Sequence, residues 1–183
     1  MSFVLGDYDR RRRLVIDPVL IYASYLGGTL FDACNAITVD TAGNLYVVGE
    51  TASVNFPTTN AMFQVNRGGD VSLSPGFGNE AFVAKFDPSG TNLIFATYLG
   101  GSQPDAALGI TVDAAGQVYL AGLTMSPDFP VTTNAWATHI TGPPISGLYT
   151  FDAFVTKLSA DGARLMYSSF LGGERSDEAL DVA

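Results

Sequence analysis

The sequence predicts an all-β chain made of β-propeller blades, and three observations carry that expectation. A long internal repeat runs through most of the 183 residues. Short β-branched and aromatic runs alternate with Asp-, Pro- and Gly-bearing turns, the composition of strands joined by tight reversals. None of these runs sustains the 3.6-residue apolar period that a helical repeat requires.

Setting residues 20–51 against 93–124, an offset of 73, gives 18 identities in 32 positions. The matches include Tyr-Leu-Gly-Gly, Ile-Thr-Val-Asp and Ala-Gly. Further on, Phe56-Pro57 meets Phe129-Pro130, and Ala81-Phe82-Val83 with Lys85 meets Ala153-Phe154-Val155 with Lys157. A third copy opens at Leu165, carries Phe170-Leu171-Gly172-Gly173 and runs to Ala183. The repeat length is therefore about 72 residues, long enough for one supersecondary unit per copy.

Within a copy, residues 36–39 and 45–48 flank Asp40-Thr41-Ala42-Gly43-Asn44, where Gly43 takes the positive φ of a hairpin. Residues 82–86 and 93–98 flank Asp87-Pro88-Ser89-Gly90, where Pro presets the first turn dihedral. The order is strand A, turn, strand B, a long connection over residues 51–80, strand C, turn, strand D, then a Gly-Gly bend into the next strand A. Four antiparallel strands per repeat describe a propeller blade. The middle strands read as nearly continuous apolar runs, as expected of a sheet covered on both faces.

This phasing places the end of a preceding β-rich domain or a linker in residues 1–18 and propeller repeats in 19–183. Residues 19–35 hold the last strand of an earlier blade (19–25), 36–107 and 108–178 form two complete blades, and 179–183 start another. Two blades cannot close a ring of the usual four to eight. The remaining blades are expected from a longer parent chain or from self-association.

The residues Tyr25-Leu26-Gly27-Gly28, Ile37-Thr38-Val39-Asp40, Phe56-Pro57 and Ala81-Phe82-Val83-Ala84-Lys85-Phe86-Asp87, with their second copies, resemble the SBBP repeats, of bacterial seven-bladed β-propeller type. Residues 3–8 through 14–18 are similar to the tail of a β-rich domain that often precedes such repeats. The resemblance implies a large exported or surface protein, hence an extracellular or cell-surface location. It assigns no catalytic residue.

Nine basic against eighteen acidic residues give a net charge of −9, which excludes a nucleic-acid surface because phosphate binding needs clustered Lys and Arg. Arg10 to Arg13 form the only basic run and read as a solvated link. No apolar run approaches the roughly 18 residues of a membrane-spanning helix, so no membrane insertion is expected. Cys34 and His139 are the only Cys and His, which leaves no disulfide framework and no Cys-based zinc site. Both read as packing or loop residues.

Each Gly-Gly bend is followed by an aspartate, Asp32, Asp105 and Asp177, four residues after its second Gly. These are the candidate binding residues, a series of acids repeating round one rim. Ca²⁺, an oxygen-seeking cation, is conceivable there. The preferred account has each carboxylate accepting backbone N–H bonds in its own bend, and no cofactor is expected. The loops 64–79 and 138–151 differ most between copies and are where a protein or glycan ligand would bind. Residues 56–63 and their counterpart around Trp136 are expected to make a short helical turn, with Phe63 and Trp136 in the core. With no catalytic cluster visible, the expected function is a non-enzymatic scaffold, adhesion or ligand-binding module. The alternative is a lyase or hydrolase whose channel site is completed by blades outside this chain.

Overall fold

The computed structural model describes Arg11 and residues 22–59, 63–68, 79–141 and 150–183. They form eight strands and, among the described residues, no helix: β1 (Asp32–Val39), β2 (Leu45–Thr51), β3 (Glu80–Phe86), β4 (Leu93–Leu99), β5 (Asp105–Val112), β6 (Val118–Thr124), β7 (Asp152–Leu158) and β8 (Leu165–Leu171). The strands make two four-stranded sheets, ordered β1-β2-β3-β4 and β5-β6-β7-β8, with every neighbour antiparallel. These are two β-propeller blades in meander order.

Three of the four hairpins form where Asp and Gly bracket the turn, and in the fourth Ser159 stands in the Asp position before Gly162. Asp40 Oδ1 accepts from the Ala42 and Asn44 amides at 2.9 Å each, while Gly43 takes φ 86° and donates to the Asp40 carbonyl. Asp113 repeats the pattern with Ala115 and Gln117. Asp87 does the same before Asn92, whose side chain donates to Oδ2 at 2.7 Å. Hydrogen bonding to their ionised forms holds all three carboxyls below the ordinary range, Asp87 down to about 2. These are Asx turns, with the carboxylate consumed inside the turn.

The first strand of each blade starts earlier than residues 36 and 108, the starts expected from the apolar runs. β1 and β5 begin at Asp32 and Asp105, and each carries a bulge, between Cys34 and Ala36 and between Ala107 and Gly109. The polar, bulged opening of these strands is invisible to a search for apolar runs, since the extra residue breaks the two-residue alternation. The bulge drives the Ala33 and Ala106 carbonyls towards Gly49 and Gly122, where a Cβ would meet them at 1.9 and 2.0 Å. No larger residue fits at either glycine.

The long connections also differ from expectation. Of the turn expected over residues 56–63, residues 60–62 lie outside the described part; 56–59 and 129–137 form no helix, and Ala135 closes a single turn onto Thr132. The second connection then runs beside β8, Thr132 donating to Ser168 O and Phe170 to Ala137 O. The first does the same beside β4 through Thr59 and Gln64. Each connection thereby occupies the hydrogen-bonding groups of its outermost strand, a protected sheet edge. Of the strand expected over residues 19–25, residues 19–21 lie outside the described part, and 22–25 form no strand. Residues 179–183 likewise carry no strand assignment. The suggested domain tail in residues 1–18 lies outside the described residues apart from Arg11.

The main core lies between the blades. Tyr46, Val48, Val83, Phe95 and Leu99 of the first meet Ile110, Leu120, Phe129, Phe154 and Phe170 of the second. Asn35 Nδ2 crosses the same boundary to Ala107 O at 3.0 Å. A smaller cluster on the far side of the first blade gathers Phe56, Phe82 and Tyr98, with Phe56 and Phe82 centroids 4.4 Å apart.

Candidate functional site

The Gly-Gly bends and the starts of the long connections share one rim. In the first bend the Gly28 amide donates to Asp32 Oδ2 at 2.8 Å, and Thr51 Oγ1 and Ser53 Oγ donate to the same carboxylate at 2.5 and 3.0 Å. The Leu30 amide reaches Ser53 Oγ, and the Thr29 amide and hydroxyl both reach Asn55 Oδ1. In the second, Gly101 and Ser126 donate to Asp105 Oδ2 at 2.8 and 2.9 Å, Gln103 reaches Ser126, and Ser102 reaches Asp128. The third keeps the Gly173 to Asp177 bond at 2.7 Å. All three candidate aspartates thus hold their own bend.

Their exposures differ. Asp105 is 1% exposed, whereas Asp32 and Asp177 are half-buried. Burial pushes the Asp105 carboxyl up to about 7, against the hydrogen bonds from Gly101 and Ser126 that favour its ionised form. A Cβ on Gly100 would sit 2.3 Å from Asp105 Oδ2 and 2.5 Å from Glu80 Oε1, so only glycine lets the bend close over both acids.

Glu80 and Asp152, which open the third strand of each blade, are buried rim acids that the sequence reading missed. Glu80 Oε1 accepts from Gln64 Nε2 at 2.8 Å, and Gln64 Oε1 accepts from the Gly100 amide. Asp152 Oδ2 accepts from the Thr141 amide and hydroxyl at 2.7 and 2.9 Å. Ser53 and Ser126 were missed too. Their signal was present in the aligned copies, where Thr51-Ala52-Ser53 meets Thr124-Met125-Ser126. Among the described residues, no three His, Cys, Asp or Glu side chains stand close enough to hold a metal ion.

The variable loops lie only partly within the described residues, since 69–78 and 142–149 fall outside. The basic run at Arg10 to Arg13 also falls outside apart from Arg11. Trp136 is 74% exposed, which corrects the expectation that it joins the core; Phe63 does pack there, partly buried. The reason is local: the connection bends at Trp136 to follow β8, and its neighbour Ala137 takes the inward position. His139 is exposed on the same connection, its Nδ1 2.8 Å from Thr138 Oγ1. Cys34 is a free, exposed thiol in the β1 bulge.

The SBBP β-propeller repeat family model matches residues 21–57, which span the first bend, β1, its Asx turn, β2 and Phe56-Pro57. The chain carries an SBBP β-propeller repeat. No curated protein matches the chain. The matched SBBP segment includes Asp32, Thr51, Ser53 and Asn55, the residues whose hydrogen bonds hold the rim. Outside the matched segment, the second copy repeats the bend contacts through Asp105, Ser126 and Asp128, while Asp105 Oδ1, the counterpart of the oxygen that Thr51 reaches on Asp32, has no hydrogen-bond partner.

Proposed function

We propose that this chain is a non-enzymatic repeat scaffold serving adhesion or ligand binding within a larger exported bacterial protein, at the cell surface or outside the cell. The observation that carries this reading is the division of labour along the rim. The polar residues shared by both copies are occupied with holding bends and turns, and the described part of the second connection carries the unshared Trp136 and His139 exposed. The bend aspartates enter as rim-holding groups, Asp105 being too buried to meet a ligand in this form.

Trp136 is the leading contact residue. An indole 74% exposed on a segment tied to β8 offers a broad apolar face with an N–H donor at its edge, suited to the ring face and hydroxyls of a sugar. A glycan array probed with the chain, followed by titration of any hit, tests this. Binding that is lost in Trp136→Ala with an unchanged melting temperature is the expected result. A positive glycan whose affinity ignores Trp136→Ala would remove this contact surface, and no binding across the array would remove the glycan reading.

A further inference from the structure

The bend between the blades closes over two acids that belong to different sheets. Glu80 opens β3 of the first blade and is fully buried, and Asp105 opens β5 of the second and is 1% exposed. The point that a Cβ on Gly100 would occupy lies 2.3 Å from Asp105 Oδ2 and 2.5 Å from Glu80 Oε1, so the two oxygens stand within about 5 Å of each other, where one negative charge opposes the next. The backbone holds them there. The Asp105 amide donates at 2.8 Å to the carbonyl of Asn79, the residue before Glu80, and Gln64 ties Glu80 to the Gly100 amide.

Around the pair stand Asp128 on the second connection, whose charge opposes ionisation of Asp105, Glu50 on β2, bonded to Asn79, and Tyr98 on β4, which feels the charges of Glu80, Asp32 and Arg67. Arg67, on the first connection, is the one cation of this set. Asp105 Oδ2 accepts from Gly101 and Ser126, but Oδ1 is buried with no hydrogen-bond partner. An ionised carboxylate sealed from water in that state is costly, and a proton removes the cost. Burial accordingly raises the Asp105 carboxyl to about 7.

We propose that Glu80 and Asp105 hold one proton between them and act as a pH-sensitive latch on the junction of the two blades. With the proton in place the pair carries a single charge and the bend stays shut. As the pH rises through neutral the proton leaves for solvent, two negative charges meet in a sealed site, and the start of β5 loosens from the start of β3. The titration belongs to the pair, since each acid's hold on the proton depends on the charge of the other.

Carboxyl carbon shifts of Glu80 and Asp105, followed by NMR from about pH 4 to about pH 9 in the full chain, test the coupling; both signals are expected to move through the same steps. In Glu80→Gln, which removes one charge and leaves Asp105 buried, the upper step at Asp105 is expected about one pH unit or more lower, a tenfold weaker hold on the proton. Exchange of the Gly101 and Asp105 amides, which bond to Asp105 Oδ2 and the Asn79 carbonyl, reads the latch itself. It is expected to quicken across the upper step beyond the ordinary base-catalysed rise, which the Ala42 and Ala115 amides of the Asx turns report in the same sample. Should Glu80→Gln fail to fold, the parent chain's titrations and exchange decide by themselves. Glu80 and Asp105 titrating independently, an unmoved step in a folded Glu80→Gln, or junction amides that follow the turn amides at every pH would overturn the latch.

Discussion

β1 and β5 carry closely related sequences, Asp-Ala-Cys-Asn-Ala-Ile-Thr-Val and Asp-Ala-Ala-Leu-Gly-Ile-Thr-Val, and the same bulged pairing to the next strand. Their surroundings are opposite. β5 is buried over most of its length between its own sheet and the first blade, while half of β1 is exposed. Local sequence therefore sets the strand, the bulge and the turn, and position in the stack sets how much each side chain contributes to stability. Equivalent substitutions in the two blades should have unequal effects wherever the neighbouring blade matters, and equal effects wherever the bend or turn alone matters.

The largest expected effect is at the inter-blade core. Phe154, fully buried against Phe129 with centroids 4.6 Å apart, should lose about 3–5 kcal/mol as Phe154→Ala, measured by urea unfolding. A loss below about 1 kcal/mol would mean that the blades do not rest on each other as described.

Next comes the pair that isolates stacking. Ile110→Ala is expected to cost about 2–4 kcal/mol and Ile37→Ala no more than about 0.5 kcal/mol in the monomer, since only the first empties a packed site. Equal losses would show that β1 is covered in solution and would erase the contrast between the blades.

Asp105 sharpens the comparison through pH. Its folded pKa, raised by burial to about 7, lies above the ordinary value near 3.8, so folding favours the protonated acid. That contribution is full below about pH 4 and is lost as the pH rises through about 7, on the order of a few kcal/mol. The turn aspartates Asp40, Asp87 and Asp113 act in the opposite sense, their contributions being lost as the pH falls below about 4, outside this window. Melting temperature should therefore fall between about pH 4 and 7 in the parent chain and change less in Asp105→Asn. Equal slopes in both proteins would rule out Asp105 as the source.

The smallest effect is expected at Trp136. Its replacement by Ala should shift stability by less than about 0.5 kcal/mol, because the indole projects into solvent. A loss of several kcal/mol would mean that it packs after all.

Much of the fold was legible because repetition and turn chemistry are local properties. Gly43 and Gly90 take the left-handed conformation at the turns expected of them, their counterparts Gly116 and Gly162 do the same, and both pairs of hairpins form. The strand starts at Asp32 and Asp105 were not legible, because a bulge disguises the alternation that marks a strand. The helical turn expected near Trp136 shrinks to the single turn from Thr132 to Ala135, because the connection then spends its backbone groups on the edge of β8.

At the rim, the bend aspartates were visible from their spacing, and their hydrogen bonds follow from the short Gly-to-Asp separation. Glu80 and Asp152 were hidden because they follow the connections whose length and composition differ most between copies. Their positions beneath the bends depend on contacts between residues far apart in sequence, such as Gln64 with Glu80 and Gly100.

The sequence alone thus determined the repeat, the four-stranded unit and the residues that turn the chain, since each depends on dihedral preferences and hydrogen bonds within a few positions. Only the tertiary structure decided which copy of a near-identical strand is buried, that Asp105 is sealed while Asp32 is not, and that Trp136 faces outward. Burial is a property of what lies on the other side of a sheet, and two equal stretches of sequence cannot differ in it until one has a neighbour and the other does not.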